Sequence, residues 1–159
     1  MSKTLIVYFS RTGEQYSVGN ITKGNTAIVS EIIAEKTDGD LFEIKVVNDN
    51  YPNEYTPLIQ FAKKEKQENA RPEIIGDVNI DNYDTVFIGY PNWWAEMPMP
   101  VYTFLEKYNL SSKKVYKFCT HEGSGGVHTD DFALYGHIAQ NERPQAEKKV
   151  SEWLKNIAY

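Results

Sequence analysis

Cysteine is nearly absent: Cys119 is the only one in 159 residues. A lone thiol excludes an intramolecular disulfide and a zinc site built on cysteines. Long apolar runs are missing too. No segment approaches the roughly 20 apolar residues of a spanning helix. Only the short run LIVYF separates the N-terminal Lys3 and Thr4 from Ser10, which is less than a signal peptide needs. The expectation is therefore a cytoplasmic protein with no membrane contact. Excess positive charge is also lacking, with 17 Lys and Arg against 22 Asp and Glu and a formal charge of −5. Nucleic-acid binding rests on clustered cations that neutralise phosphates. The densest basic run, KKEKQ at Lys63 to Gln67, is broken by Glu65 and followed by Glu68, and reads as a solvated helix face. Repeats, low-complexity tracts and linkers are absent, so 1–159 reads as a single domain, long enough to bury a core without staples.

Aromatic residues, by contrast, are plentiful. Eleven Tyr, 7 Phe and 3 Trp are enough that some rings are expected to do more than fill the core. The apolar pattern alternates between two periods. Leu5 to Phe9 is a short continuous apolar run that suits a strand buried on both faces. Thr26 to Lys36 carries apolar pairs at i,i+4 spacing and reads as a helix. Leu41 to Val47 reads as a second strand, and Tyr55, Leu58, Ile59 and Ala62 have helical spacing. Thr85 to Gly89 is a third strand and Pro98 to Tyr108 a helix with proline near its start. Val115 to Thr120 is a fourth strand, Phe132 to Ile138 a fifth, and Gln145 to Ile157 a closing helix. Alternation of this kind predicts a parallel α/β sheet with helices on both faces. Ligands in such sheets bind beyond the carboxyl ends of the strands, at a topological switch point.

Three loops at that edge carry the chemistry. After the first strand comes SRTGEQYSVGNITKGNT, Ser10 to Thr26. It holds two glycine turns, SRTG and GNT, and the second opens a helix. Hydroxyls, an amide and a helix N-terminus make a phosphate site from neutral donors and a dipole. The same residue types also cap an ordinary helix, so this loop alone does not decide. Gly19 to Thr26 fails as a nucleotide P-loop, because Asn25 stands where the lysine is required and the strand ends well before Gly19. After the third strand comes YPNWWAEMPMP, Tyr90 to Pro100. Trp93 and Trp94 are adjacent and cannot both enter one core. One is expected to pack inward, leaving the other to stack on something planar. After the fourth strand comes THEGSGG, Thr120 to Gly126, whose glycines permit close backbone approach to a flat ligand; alone it would be a surface turn. Together the loops describe a ligand with a phosphate at one end and a flat ring at the other, and FMN is such a ligand.

The motifs YFSRTG…GNT, GYPNWW…MPMPVYTFLE and THEGSG resemble those of the flavodoxin-like FMN-binding family, over most of the chain. The resemblance implies a doubly wound five-stranded parallel sheet of order 2-1-3-4-5. It implies that Ser10, Thr12, Asn25 and Thr26 grip the FMN phosphate, with Arg11 contributing at least its backbone. Pro91, Asn92, Trp93 and Trp94 would flank the isoalloxazine. Thr120, His121, Glu122, Gly123, Ser124 and Gly125 would wrap its pyrimidine edge. The phosphate loop, continuous in simpler members, would here be split by an insertion from about Glu14 to Lys23 and rejoin around one phosphate. Tyr16 in that insertion would lie near the cofactor. The flavin would carry the redox chemistry, and negative charge such as Glu122 would lower its potential. The implied role is electron transfer to a partner protein or small acceptor, or a small FMN-dependent oxidoreductase such as a quinone reductase. From another class, a phosphate-binding module without redox chemistry has no need of the twin tryptophans, and a scaffold that has lost its cofactor is a third reading.

One departure stands out. Between Thr120 and Phe132 there is room for little beyond the third loop, so the helix expected between the fourth and fifth strands is missing. Lys117 fits a partly wet face there, and an uncovered face suggests a homodimer. His121, His128 and His137 lie near Asp130 and Asp131, but their spacing matches no metal-ligand pattern; surface or hydrogen-bonding roles are expected, and no metal.

Overall fold

The strand β1 (Thr4–Tyr8) occupies the middle of the sheet because nothing polar interrupts it: Leu5, Ile6 and Val7 are each at most 1 % exposed. The computed structural model describes residues 3–159. On one side β1 pairs with β4 (Asp40–Glu43), and on the other with β5 (Thr85–Pro91), which pairs in turn with β6 (Lys114–His121) and β7 (Phe132–Tyr135). All these pairings are parallel. The spatial order β4-β1-β5-β6-β7 is 2-1-3-4-5 when only the strands of this sheet are counted, as expected. The switch point falls between β1 and β5, so the loops after β1, β5 and β6 meet at one edge. Two further short strands, β2 (Gly13–Gln15) and β3 (Gly19–Ile21), form an antiparallel hairpin inside the first loop. Three-residue strands of mostly polar residues leave no periodic trace in the sequence.

Side chains from alternate strand positions build two cores. Leu5, Val7, Val86, Ile88 and Tyr90 face α2 (Tyr55–Gln67) and α3 (Met99–Lys107). Ile6, Tyr8, Phe87, Phe118 and Leu134 face α1 (Asn25–Thr37), α4 (Gly136–Asn141) and α5 (Arg143–Asn156). Each fully buried Leu, Ile, Val or Phe contributes about 1.5–3 kcal/mol, so both faces of the sheet hold the switch point rigid. No helix among the described residues is long and apolar enough to cross a membrane.

Two elements end earlier than their sequence pattern. Leu41 to Val47 keeps strand character only to Glu43, because β1 ends at Tyr8 and offers no further edge. Ile44 N–H takes the Tyr8 carbonyl at 2.7 Å, and the chain then turns to an antiparallel bridge between Val46 and Ile74. Phe132 to Ile138 is a strand only to Tyr135. Gly136 starts α4, because the Glu122 carboxylate accepts the His137 N–H at 2.6 Å and holds the turn.

No helix lies between β6 and β7. A carboxylate organises the segment instead. The Asp131 side chain is 0 % exposed, and its Oδ2 accepts from Val127 N–H (3.0 Å), His128 N–H (3.1 Å) and Tyr90 O–H (2.9 Å). The strip beyond it is mixed rather than apolar: Lys117 is half-buried, and Ala133 and Tyr135 are exposed. Replacing Asp131 by alanine should cost about 2–4 kcal/mol, because three donors lose their acceptor. Asp130→Ala, at an exposed neighbour, should change stability by less than about 0.5 kcal/mol. Urea denaturation of the two variants beside the parent checks this, and equal stabilities would refute the role given to Asp131.

Candidate functional site

The two halves of the split loop rejoin. At Gly24 a Cβ would stand 1.9 Å from Ser10 Oγ and 2.7 Å from the Arg11 carbonyl, so only glycine lets the GNT turn close onto SRTG. Ser10 Oγ then accepts the Ala27 N–H at 3.1 Å, and Ile28 N–H takes the Gly24 carbonyl at 3.1 Å. The N–H groups of Asn25 and Thr26, in the first turn of α1, have no earlier helical carbonyl to bond. They carry the positive end of the helix dipole toward the edge of the sheet.

The hairpin between the two turns leans on the start of α2. Glu14 N–H takes the Asn53 carbonyl at 2.8 Å, and its Oε1 accepts the Tyr55 N–H at 2.7 Å. This sets the Tyr16 ring 5.6 Å from that of Tyr55, with Tyr16 58 % exposed. Arg11 turns its side chain the other way. It pairs with Asp49 at 2.7 Å, donates to the Tyr51 carbonyl at 3.2 Å, and lies 5.2 Å from the Tyr51 ring centre. The Tyr51 hydroxyl donates to Glu65 at 2.5 Å, and burial pushes both pKa values up.

The aromatic loop resolves into two roles. Trp93 packs inward, edge-on to Phe9 at 5.4 Å and beside Tyr51 at 5.6 Å. Trp94 stays on the rim, 43 % exposed. Trp94 and Ala95 have φ of 60° and 59°, which closes a two-residue turn between Trp93 and Glu96. Left-handed backbone costs a non-glycine residue about 1–2 kcal/mol. It persists here because four contacts fix it. Trp94 Nε1 donates to the Ile59 carbonyl at 2.7 Å, Lys66 Nζ donates to the Trp94 carbonyl at 2.6 Å, Lys63 Nζ lies 5.0 Å from the indole centre, and Asn92 Oδ1 accepts the Ala95 N–H at 2.9 Å.

The glycine loop ties to both others. Thr120 and Thr26 share a buried hydroxyl–hydroxyl bond of 2.8 Å. Asn92 donates its N–H to the Thr120 carbonyl at 2.9 Å and its Nδ2 to the Gly125 carbonyl at 2.9 Å. His121 Nδ1 accepts the Gly123 N–H at 2.9 Å, and burial lowers the His121 pKa. Glu122 bonds His137 through both oxygens. Cys119 plays no thiolate part, since burial pushes its thiol up to about 12.

Among these loops lies a cleft of ≈ 330 Å³. Of the residues expected at the site, Asn25, Pro91, Asn92, Trp93, Trp94, Thr120, His121, Glu122 and Ser124 line it, and so does Tyr16. Thr26 stands behind the wall, bonded to Thr120, and Gly125 contributes the carbonyl that holds Asn92. Gly123 supplies the amide that orients His121. Ser10 and Thr12 line a neighbouring depression with Tyr8, Lys23, Glu31 and Glu43, so the seam of the split loop lies between the two hollows. Gln15 and the α2 residues Tyr55, Leu58, Ile59 and Ala62 also line the cleft. Their helical spacing signals a buried stripe but not that part of it borders a ligand. No Lys or Arg lines the cleft, and among the described residues no three His, Cys, Asp or Glu side chains gather to hold a metal. Asn25 Oδ1 is buried without a partner, an acceptor that awaits a donor.

A family model described as Flavodoxin matches residues 3–156. A solved structure named as a flavoprotein, from Bacteroides eggerthii, is 28 % identical with a TM-score of 0.70, covering 100 % of this chain and 99 % of that one. A flavoprotein from Lactobacillus acidophilus, solved in complex with FMN, is 28 % identical with a TM-score of 0.65, covering 82 % of this chain and 81 % of that one. A third, named as a flavoprotein from Bacteroides uniformis, is 25 % identical with a TM-score of 0.65 and covers 84 % of this chain and 87 % of that one. No curated protein matches.

Because a Cβ at Gly24 overlaps backbone as well as a movable hydroxyl, Gly24→Ala should prise the two turns apart and cost about 1–3 kcal/mol. A thermal melt reads the loss directly. An unchanged melting temperature would show that the seam is not closed as described.

Proposed function

The chain belongs to the flavodoxin family, and on that premise we propose that it binds FMN in this cleft and serves as an electron-transfer protein or small oxidoreductase. When bound, the flavin supplies one- and two-electron redox chemistry; the chain binds and orients it. The observation that carries the reading is the pairing of unlike ends in one cleft. At one end are the open amides of α1 and the unpartnered Asn25 Oδ1; at the other are the exposed indole of Trp94 and the ring of Tyr16.

The donor set fits the group. Phosphate oxygens accept hydrogen bonds, so they call for the N–H groups of Asn25 and Thr26, the hydroxyls of Ser10 and Thr12 at the seam, and the α1 dipole. No Lys or Arg lines the cleft, and Lys23 beside the Ser10 and Thr12 hydroxyls is paired with Glu31, so the phosphate would be held mainly by neutral donors. Asn25 Oδ1 is an acceptor and cannot serve a phosphate oxygen; it suits a ribityl hydroxyl. Trp94, fixed by its contacts to Ile59, Lys63 and Lys66, offers a preorganised aromatic face, and Pro91, Asn92 and Trp93 form the wall beside it. The Thr120–Gly125 loop brings backbone amides and carbonyls to the edge of a flat ring, with His121 as its titratable group, while the Glu122 side chain turns back beside Asn25 and Gly136 at the start of α1. Support for FMN over other phosphorylated ligands comes from the related Lactobacillus acidophilus flavoprotein, which was solved with it.

The apolar wall formed by Tyr55, Leu58, Ile59 and Ala62 favours a second reading, in which a small aromatic acceptor docks beside the ring and the protein works as a reductase. Steady-state oxidation of NADH or NADPH with a quinone separates it from a shuttle that reacts only with a partner protein.

The purified protein should titrate with FMN at one equivalent, with visible bands that bleach on adding dithionite. Trp94→Ala should weaken FMN roughly tenfold, the scale of one aromatic contact. A wild-type protein that leaves FMN fluorescence and absorbance unchanged at saturating concentration would end the proposal.

A further inference from the structure

Glu122 is the one carboxylate lining the cleft, and it sits where an anionic ligand would least welcome it. Its side chain is 11 % exposed. A Cβ on Gly136 would stand 2.8 Å from Glu122 Oε1 and 2.3 Å from Asn25 Nδ2, so the carboxylate abuts the turn that opens α1. A phosphate held at that turn meets a like charge in a partly water-excluded wall, where repulsion is stronger than in bulk water. One neighbour can cancel it. His137 Nδ1 lies 2.7 Å from Glu122 Oε2, and its side chain is 42 % exposed, free to exchange a proton with water.

We propose that His137 is the counter-charge of this site: it takes up a proton when an anionic cofactor docks against the Asn25 turn, so that Glu122 and His137 together present no net charge to the phosphate. The inference rests on the FMN reading above. Neutral His137 can donate from Nδ1 to Glu122, and protonated His137 donates in the same way, so the pair survives both states and only its charge changes. His121 is poorly placed to take the proton. Its Nδ1 accepts the Gly123 N–H, which protonation there would break, and burial already disfavours its charged form.

The surroundings of His137 leave it the only free cation source at this corner among the described residues. From β7 the Tyr135 ring lies 5.0 Å away, with His121 4.6 Å from that same ring. From α1 comes the neutral Asn25. Lys23, just before α1, gives its carbonyl to Gln140 of α4 and its ammonium to Glu31. Arg143 at the start of α5 is engaged by Glu35 and Glu147.

Calorimetric titration of the full chain with FMN near pH 7.5, in two buffers of different ionisation enthalpy, counts the protons exchanged. At that pH the phosphate is already dianionic, its second pKa being about 6, so uptake reports on the protein. Wild type should take up a fraction of a proton, and both Glu122→Gln and His137→Gln should lose that uptake. Their affinities should part: Glu122→Gln binds FMN at least as tightly as wild type, and His137→Gln about tenfold more weakly. Loss of a merely structural bond would weaken both. Riboflavin, which lacks the phosphate, should bind wild type without the uptake. Should the variants fold poorly, the wild-type His137 Cε1 proton resonance, followed from about pH 5.5 to 8.5, must shift its midpoint upward when FMN is bound. Tight FMN binding with no proton uptake, or with an unmoved midpoint, overturns this proposal alone. Absence of FMN binding overturns the FMN reading and this one with it.

Discussion

The buried bond between the hydroxyls of Thr26 and Thr120 joins the first turn of α1 to the end of β6. It ties the GNT turn to the glycine loop at the functional edge. Neither hydroxyl reaches water, with Thr26 and Thr120 at 1 % and 3 % exposed, so each depends on the other. A pair of this kind contributes about 1 kcal/mol net, but leaving one partner alone costs about 1–3 kcal/mol. That asymmetry fixes the register between the GNT turn and the glycine loop. From Thr120 the chain of constraint continues through its carbonyl to Asn92 N–H, and from Asn92 to Gly125 and Ala95. Three loops that are far apart in sequence are thereby one rigid object, built on strand ends the sheet has already aligned.

Rigidity of this kind explains how the cleft can hold an unfavourable backbone. Trp94 and Ala95 both adopt left-handed conformations that glycine or asparagine would occupy more readily. The sequence keeps an indole there instead, and the protein holds it with a hydrogen bond to α2, two lysines and Asn92. Strain at the rim is set against contacts to the indole N–H, the Trp94 carbonyl and the Ala95 amide, and the ring itself stays 43 % exposed. The same division applies to charge. Arg11, within the SRTG turn, is drawn away to Asp49 and Tyr51, and Lys23, just before α1, is held by Glu31, so the neutral donors and the helix dipole face the cleft without a free cation beside them. Charge balance is left to the Glu122–His137 pair.

The sequence shows these features unevenly. Strand order was readable because β1, β5 and β6 are short, apolar and separated by helical periodicity, and right-handed crossovers leave few arrangements. The loops that meet were readable for the same reason: strand ends dictate them. That one tryptophan would turn inward followed from sterics, although which one did not. Hidden features depend on tertiary partners rather than on local pattern. The β2–β3 hairpin has no apolar alternation and forms because Glu14 finds Asn53 and Tyr55. Arg11 is a cation within the SRTG turn in sequence, and only the fold reveals Asp49 in reach. Strand β4 stops early because β1 does, which no reading of LFEIKVV alone could supply. The placement of Ser10 and Thr12 on the far side of the seam likewise depends on how tightly Gly24 closes.

Loss of the helix between β6 and β7 is where local and global demands conflict, and Asp131 shows how they are reconciled. A parallel crossover ordinarily spans a dozen or more residues and uses a helix to satisfy its backbone. Here the connection is shorter, and one carboxylate takes over part of that task by accepting two amides and the Tyr90 hydroxyl. Tyr90 belongs to β5, immediately before the Pro91–Asn92 wall of the cleft. The device that closes the shortened crossover therefore grips the strand that carries the aromatic loop. A longer helical connection would cover more of the sheet, but it would not by itself tether Tyr90. Shortening the fold at this place couples the end of the glycine loop to the strand beneath the tryptophans, and so reinforces from below the same assembly that Thr120 and Asn92 hold from above.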